Sequence, residues 1–472
     1  MNPLKKLVNQ TAIYGLSSVI GRLLNYLLVP LYTRYFMPAE YGVVTEMYAY
    51  VAFLVVVLTY GMETAFFRFS KKENDVNLVY STTLISILIT SLIFISVVFS
   101  NSVLISSWMG YTNNQEYIEW FAIIIGLDAI SAISFARLRE QNKAIRFATI
   151  RLINIFTNIG MNIFFIVYKG YGIEYIFISN LISSIVTIIL ILPQMLKSIW
   201  IFDVRLWKKM IAYALPLLIA GLAGITNETI DRVLLKYLLP NAETASSELG
   251  LYGAFYKLSI IMILFIQTFR FAAEPFFFAQ QNGTRSRKIY ADVMKYFTII
   301  TSIIFLIVTI FYDLIKQFLG SNYHDERGFL VVSILLLANL FLGIYYNLSI
   351  WYKLTDKTRY GAYLAIFGAL ITLALNLCLI PVIGFEGSAW ATLICYFSMT
   401  LCSYFLGRKY FPVPYNLNRI GLYLLVMLSI YFIIILTKNN IWINSFYLVV
   451  FVIMAYVLER PKKSAPKQSK LF

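Results

Sequence analysis

Residues 79–99 read VYSTTLISILITSLIFISVVF, an apolar run without one charged side chain. About 20 such residues are enough for a helix to cross the hydrocarbon core of a bilayer. Apolar runs of similar length recur along the chain, and we count fourteen from residues 9–32 to residues 442–458. The sequence therefore predicts an all-α, polytopic membrane protein with about 14 transmembrane helices.

The composition of the whole chain supports the same class. Its 472 residues are 60% hydrophobic and only 13% charged, whereas roughly 25% of residues are charged in soluble domains. A soluble enzyme, a disordered chain and a secreted disulfide scaffold are excluded, because a soluble fold cannot bury so much apolar surface. The three cysteines lie in apolar runs and the single histidine lies in a polar connector. We therefore expect neither a disulfide nor a metal site.

The basic residues are concentrated in alternate connectors between the apolar runs. Lys and Arg number 39 against 23 Asp and Glu, a net charge of +16. By the positive-inside rule, the connectors rich in Lys and Arg are cytoplasmic. This pattern predicts an even number of spans with both termini in the cytoplasm. The net charge thus sets the orientation of the chain, and no nucleic-acid partner is expected.

Parts of the first and second halves of the chain match each other. Asn25 precedes the motif RYFMP (residues 34–38), and Asn227 precedes KYLLP (236–240) at the same spacing. Tyr-Gly at 41–42 and 252–253 is followed in each half by Glu-x-x-Phe-Phe, at Glu63 and Glu274. Such a colinear series indicates a duplication, which is common in transporters. We expect an N-lobe of helices 1 to 6 (1–205), a C-lobe of helices 7 to 12 (206–412), and a final segment (413–472) with helices 13 and 14 and a basic tail.

Charged residues within spans are costly and therefore need a reason. Arg22 lies near the middle of the first span and shares a helical face with Tyr14, Ser18 and Asn25. This face can line a wet cavity and offer a cation to an anionic headgroup. Alternatively, Arg22 has a structural role and its side chain is bound by a neighbouring helix. Four further basic residues lie within spans: Arg151 in the fifth span, Arg232 in the seventh, and Lys257 and Arg270 in the eighth.

Several carboxylates are candidates for ion coupling or gating. Glu228 and Arg232 have the i, i+4 order of a local ion pair, which leaves Asp231 as the better candidate to couple transport to H+ or Na+. Glu228, Glu63 and Glu274 are the other coupling candidates, and the positions of the last two fit solvated helix ends equally well. Glu46 and Lys257 occupy equivalent repeat positions, so we expect them to meet as an outer gate.

Residues 376–392, NLCLIPVIGFEGSAWAT, carry a family resemblance. They resemble the Asn…Ile-Pro-x-x-Gly-x-x-Gly-x-Ala-x-Ala-Thr segment of polysaccharide biosynthesis and export proteins. Tyr41-Gly42 is similar to the start of the second helix in that family. These proteins are the lipid-linked oligosaccharide flippases of the multidrug/oligosaccharidyl-lipid/polysaccharide exporter superfamily.

The resemblance implies a bacterial inner-membrane protein with two lobes around a central cavity. Such a protein moves an undecaprenyl-pyrophosphate-linked unit of O-antigen, capsule or exopolysaccharide by alternating access, without being an enzyme. The candidate substrate-binding residues are Arg22, Asn25, Asn227, Arg232, Lys257 and Arg270. No cofactor is expected apart from a coupling H+ or Na+. Besides the glycolipid and membrane lipid, candidate partners are a polysaccharide polymerase and chain-length proteins.

Three rival functions remain open. A multidrug cation antiporter of the same superfamily usually has 12 spans and an acidic cavity, whereas this chain has a terminal pair of apolar runs and basic residues within spans. A membrane polysaccharide polymerase or ligase generally uses a large basic external loop, and the external connectors here are short. A peptidoglycan-precursor flippase is the nearest relative within the favoured class.

Overall fold

The computed structural model describes residues 20–280, 286–437 and 440–460. The structure is 86% helix and has no strand within these ranges. Thirteen of the described helices are long and apolar enough to cross a membrane, which confirms the expected all-α polytopic fold. The first expected span lies partly outside the described residues, as do Tyr14 and Ser18. Its described part is helical over residues 20–26 and again from Leu28.

We number the helices in chain order and treat a helix with a local break as one element. The bounds are α1 (Leu28–Tyr35), α2 (Pro38–Thr59 and Met62–Phe69), α3 (Val76–Ser100), α4 (Gln115–Glu140), α5 (Ala144–Tyr168), α6 (Glu174–Leu196), α7 (Val204–Leu238), α8 (Ala242–Leu258 and Ile260–Ala279), α9 (Ser286–Ile310), α10 (Gly328–Leu354), α11 (Arg359–Ile383), α12 (Phe385–Tyr410), α13 (Leu417–Thr437) and α14 (Ile441–Glu459). We call the end of the bundle that holds the α1–α2 and α7–α8 connectors the outer end, following the orientation that the basic residues predict. The opposite end is the inner end.

Local sequence explains several helix boundaries. Pro38 is the first residue of α2, where its missing N–H costs nothing. The Glu40 carboxylate accepts a hydrogen bond from the Met37 N–H at 2.8 Å and so caps the same helix. Asp203 caps α7 by accepting hydrogen bonds from two backbone N–H groups. Because α7 begins at Val204, the expected lobe boundary at 205/206 falls within its first turn, and the connector spans residues 197–203.

The helices form two bundles and a terminal pair. In the first bundle α3 packs on α4, α4 on α6, and α5 on α6; in the second α10 and α11 pack on α12, and α7 packs on α11. The terminal helices α13 and α14 lie against α9. There the Lys295 ammonium pairs with the Glu459 carboxylate at 2.6 Å, and the Tyr423 hydroxyl donates to the same carboxylate at 2.6 Å.

One ion pair occurs at equivalent places in both bundles. Glu63 of α2 pairs with Arg139 of α4, and Glu274 of α8 pairs with Lys353 of α10 at 2.6 Å. In each bundle the second helix of the repeat is thus tied to the fourth at the inner end. This correspondence supports the duplication inferred from the Glu-x-x-Phe-Phe motifs.

The two lobes touch at the outer end, where α2 crosses α8. A Cβ added to Gly42 would lie 1.9 Å from the Ser246 carbonyl oxygen, and one added to Gly250 would lie 1.8 Å from the Pro38 carbonyl oxygen. The two backbones therefore approach so closely that neither position has room for a side chain, as at small-residue helix contacts in membranes.

The connector between α9 and α10 adds to this outer closure. The Tyr323 hydroxyl donates to the Phe36 carbonyl at 3.1 Å, which joins the connector to the N-lobe. Arg327 binds both oxygens of Glu248 of α8 at 2.9 and 3.0 Å. The same guanidinium hydrogen-bonds to Asp325 and lowers the pKa of that carboxyl below its ordinary value. The connector is thus joined to the N-lobe through Tyr323 and to α8 of its own lobe through Arg327.

Helix α7 belongs to both lobes. Near its inner end the Trp207 indole N–H donates to the Ser86 hydroxyl of α3 at 2.7 Å. Toward its outer end the Asn227 amide donates to the Ala365 carbonyl of α11 at 3.0 Å. Pro216 lies between these two contacts. Because proline has no N–H, one helical hydrogen bond is missing at this point.

Candidate functional site

A cavity of about 440 Å³ lies between the lobes, next to the α2–α8 contact. On one side it is lined by α1, α2, α5 and α6, with the helical turns that precede α1, and on the other by α7 and α8. Four of the six expected substrate-binding residues line it, namely Arg22, Asn25, Arg232 and Lys257. Its volume is within the range of roughly 300–1,000 Å³ that is typical of small-molecule sites.

The C-lobe wall of the cavity carries charged side chains. The Arg232 guanidinium lies 4.0 Å from the centre of the Tyr256 ring, and it donates to the Glu228 main-chain carbonyl at 3.1 Å. The ion pair expected between the Glu228 carboxylate and Arg232 is therefore absent, since the arginine binds the carbonyl instead. Lys257 follows Tyr256 in sequence, and among the described residues no carboxylate lies within 4 Å of its ammonium.

The described lining has a positive net charge. Arg22, Arg232 and Lys257 contribute three positive charges, and Glu228 contributes one negative charge, which leaves +2. A cleft lined mainly by one sign of charge concentrates ligands of the opposite sign. The cavity is thus suited to an anion.

The opposite wall is polar, and Arg22, in the helical turns before α1, is its one charged residue among the described lining residues. On α5 it presents Asn154 and Asn158, on α6 Asn180, and on α2 Thr45 and Tyr48. These amides were not predicted from the sequence, although their spacing carries a signal. Asn154 and Asn158 are spaced i, i+4, and Asn162 continues the series, so the three share one face of α5.

Two expected substrate-binding residues lie elsewhere. Asn227 is buried in the C-lobe, where its amide contacts α11 as described above and also accepts from the Thr372 hydroxyl at 3.4 Å. Arg270 lies on the inner half of α8, with its guanidinium 4.4 Å from the Tyr346 ring centre and 3.4 Å from the Glu274 carboxylate. Neither residue lines the cavity in this conformation, so their role in substrate binding stays a prediction.

Asp231 also lies outside the cavity and has partners that the sequence did not reveal. Its side chain is 3% exposed and accepts hydrogen bonds from the Tyr252 hydroxyl at 2.5 Å and the Arg232 N–H at 2.8 Å. The polar residues of α7 are therefore divided between two faces. Asn227 and Asp231 point into the protein, whereas Glu228 and Arg232 point into the cavity, because a step of one residue turns a helix by about 100°.

The remaining coupling candidates, Glu63 and Glu274, pair with basic residues of their own lobes at the inner end, as described above. Among the described residues, Glu228 is therefore the one carboxylate of the expected set that lines the cavity.

Glu46, which was expected to meet Lys257 in an outer gate, contacts a different residue. Glu46 is 1% exposed and pairs with Lys236 of α7 at 2.8 Å, not with Lys257. The Tyr111 hydroxyl donates to the same carboxylate oxygen, and Lys236 also donates to the Met109 carbonyl at 2.6 Å. Lys257 instead faces the cavity. Glu46 thus joins the N-lobe to α7 through a buried ion pair.

Comparisons with known proteins agree with this architecture. Residues 31–327 match a family described as "Polysaccharide biosynthesis protein". No curated protein matches the chain significantly.

Solved structures with the same fold include flippases and transporters. The lipid II flippase MurJ in an inward closed conformation is 17% identical and has a TM-score of 0.76, with 95% of this chain and 98% of that chain covered. An inward-facing multidrug resistance MATE family transporter of the MOP superfamily is 14% identical, with a TM-score of 0.67 and coverage of 84% and 94%. A MOP superfamily transporter from Pyrococcus furiosus, described as having a binding pocket of reverse polarity, is 14% identical, with a TM-score of 0.57 and coverage of 86% and 94%. At these identities the likeness concerns the fold.

Proposed function

The chain belongs to the polysaccharide biosynthesis protein family, and we propose that it is a flippase for an undecaprenyl-pyrophosphate-linked oligosaccharide. In this proposal it lies in the bacterial inner membrane with both termini in the cytoplasm. It moves the glycan from the cytoplasmic to the periplasmic leaflet and changes no covalent bond.

The observation that carries the proposal is the sign of the cavity charge. Three cations and one carboxylate line the space between the lobes. Two phosphate groups are a suitable counterpart, because guanidinium and ammonium groups form charge-assisted hydrogen bonds with phosphate oxygens. A multidrug antiporter for cations would bring its substrate against this charge, which is why we favour an anionic substrate.

The physical task explains why a cavity is sufficient. A glycan with many hydroxyls and two phosphates cannot cross hydrocarbon unaided, because each desolvated polar group costs several kcal/mol. The protein need only offer a wet, charged path to the head group while the polyprenyl tail stays in the lipid.

Alternating access provides the path. In the present conformation the lobes are in contact at the outer end, through Gly42, Gly250 and the Glu46–Lys236 pair. We propose that the head group binds from the inner side to Arg22, Arg232 and Lys257. The outer contacts then separate, and the cavity opens to the other leaflet.

The family assignment can be tested in cells. Deletion of the gene, in a host that has no second flippase, is expected to leave lipid-linked glycan on the cytoplasmic side and to remove the surface glycan. Normal surface glycan in that strain would contradict the proposal. In proteoliposomes, flipping of lipid II would identify a peptidoglycan-precursor flippase, and export of a cationic drug would identify an antiporter.

We also propose that Glu228 couples transport to H+. Glu228→Gln removes the negative charge from the cavity lining, so we expect several-fold tighter binding of undecaprenyl pyrophosphate and loss of stimulation by an imposed proton gradient. Proteoliposomes with and without the gradient measure the second effect. The comparison variant is Asp231→Asn. If it loses the response to the gradient while Glu228→Gln keeps it, the coupling residue is Asp231.

A further inference from the structure

The part of the cavity wall formed by α2, α5 and α6 is a set of uncharged, oriented hydrogen-bonding groups. It consists of Thr45, Tyr48, Asn154, Asn158 and Asn180, which we call the amide wall. It faces the cations of α7 and α8 across the cavity. The proposed function assigns those cations to the pyrophosphate and leaves the amide wall without a role.

Bonds to the protein hold each amide in place. The Asn154 Nδ2 group donates to the Ser183 carbonyl and to the Thr187 hydroxyl, both at 2.9 Å, so both of its hydrogens are used. Its Oδ1 is left as an acceptor for a ligand. The Asn158 Oδ1 accepts from Asn162 Nδ2 at 2.9 Å, which leaves the Asn158 Nδ2 as a donor.

The third amide is paired with a phenol. Asn180 Nδ2 donates to the Tyr48 hydroxyl at 3.0 Å. Asn180 Oδ1 therefore remains as an acceptor, and the Tyr48 hydroxyl keeps its own hydrogen to donate. Within the described residues, the amide wall thus offers two acceptors and two donors that have no other protein partner in these roles.

This arrangement matches the chemistry of a sugar ring. A sugar hydroxyl both donates and accepts, so it pairs with a surface on which donors and acceptors are mixed. Fixed amides lose little conformational entropy when a ligand binds, which favours recognition. The amide wall itself carries no cation, and the one cation on the N-lobe side among the described lining residues is Arg22, in the turns before α1.

We propose that the amide wall is the subsite for the sugar that follows the pyrophosphate. The inference rests on the proposed function, since it takes the three cations of the cavity as the pyrophosphate site. The cavity then recognises two parts of one head group, with phosphate at Arg22, Arg232 and Lys257 and with sugar hydroxyl or acetamido groups at the amide wall.

The test compares two lipids that differ by one sugar. Binding to the purified full-length protein is measured for undecaprenyl pyrophosphate and for the same lipid carrying one N-acetylglucosamine. For Asn154→Ala/Asn158→Ala we expect the Kd of the sugar-bearing lipid to rise about 10- to 100-fold, because two or more hydrogen bonds are lost. The Kd of the bare lipid is expected to change less than about twofold by the same reasoning.

Two further variants keep the test interpretable. Tyr48→Phe removes a single hydroxyl and retains the ring, so a several-fold loss confined to the sugar-bearing lipid is expected even if the double variant does not fold. Asn113→Ala changes an exposed asparagine in the α3–α4 connector and should alter neither Kd.

The outcomes separate the inference from the function. Equal weakening of both lipids by the amide variants overturns the inference, because the amides would then act on the fold or on the pyrophosphate. Equal affinity of the wild-type protein for both lipids also overturns it, while the flippase assignment stands. If the wild-type protein binds neither lipid, the proposed function itself is overturned.

Discussion

Replacement of Arg232 and Lys257 by alanine is expected to abolish flipping. Each charge-assisted hydrogen bond is worth about 1.5–3 kcal/mol, so the double variant should bind undecaprenyl pyrophosphate about 10²- to 10⁴-fold more weakly. Arg232 is held by the Tyr256 ring and the Glu228 carbonyl. Its guanidinium is thus oriented before the substrate arrives. Binding to the solubilised protein and flipping in proteoliposomes are the measurements.

A matched control removes the same number of positive charges at positions outside the cavity. Lys208 and Lys209 are exposed at the inner end of α7, outside the cavity. Lys208→Ala/Lys209→Ala should therefore leave the Kd nearly unchanged. Equal losses of affinity in the two double variants would show that binding depends on the overall charge of the protein and not on the charges that line the cavity. Arg232→Lys keeps the charge but loses the forked donor geometry, so we expect an intermediate effect.

Loss of Lys236 is expected to open the outer end. Lys236→Ala leaves the buried Glu46 carboxylate without its positively charged partner, at a cost of about 3–5 kcal/mol to the closed conformation. That cost corresponds to a shift of roughly two to four orders of magnitude in the equilibrium between closed and open forms. A cysteine at Thr45, in a background without the native cysteines, reports the change through labelling from outside the membrane with an impermeant thiol reagent.

Removal of both charges provides the control for this experiment. Glu46→Gln/Lys236→Met leaves no unpaired buried charge, and labelling of the Thr45→Cys reporter should return toward the level without gate substitutions. The rival pairing makes the opposite prediction. If Lys257→Ala opens the outer end and Lys236→Ala does not, Glu46 uses Lys257 as its partner in the transport cycle.

The sequence predicted the parts of the fold that depend on local composition and on repetition. An apolar run of span length can be recognised without knowing which helices pack against it, so the transmembrane helices were predicted correctly. The matching Glu63 and Glu274 motifs indicated the duplication, and the structure adds the equivalent ion pairs with Arg139 and Lys353. Both results follow from information that lies along a single segment or recurs at a fixed spacing.

The contacts between helices were harder to predict from the sequence. The polar residues of α7 lie on one broad side of the helix, but their spacing does not show which half of that side faces the cavity. Glu228 and Arg232 do so, whereas Asn227 and Asp231 meet other helices. The pairing of Glu46 with Lys236 depends on how α2 and α7 are positioned along each other, which neither helix encodes alone. The amides of α5 and α6 were missed because we searched within spans for charge.

The attachment of α7 to both lobes limits how this protein can move. A flexible tether between two bodies would permit rotation about many axes. Here the connecting element is a single rod, fixed near one end to α3 by Trp207 and near the other to α11 by Asn227. Any rocking of one lobe against the other must bend that rod between its two fixed points, where Pro216 already removes one hydrogen bond. The connection through α7 thereby reduces the number of ways in which one lobe can move relative to the other.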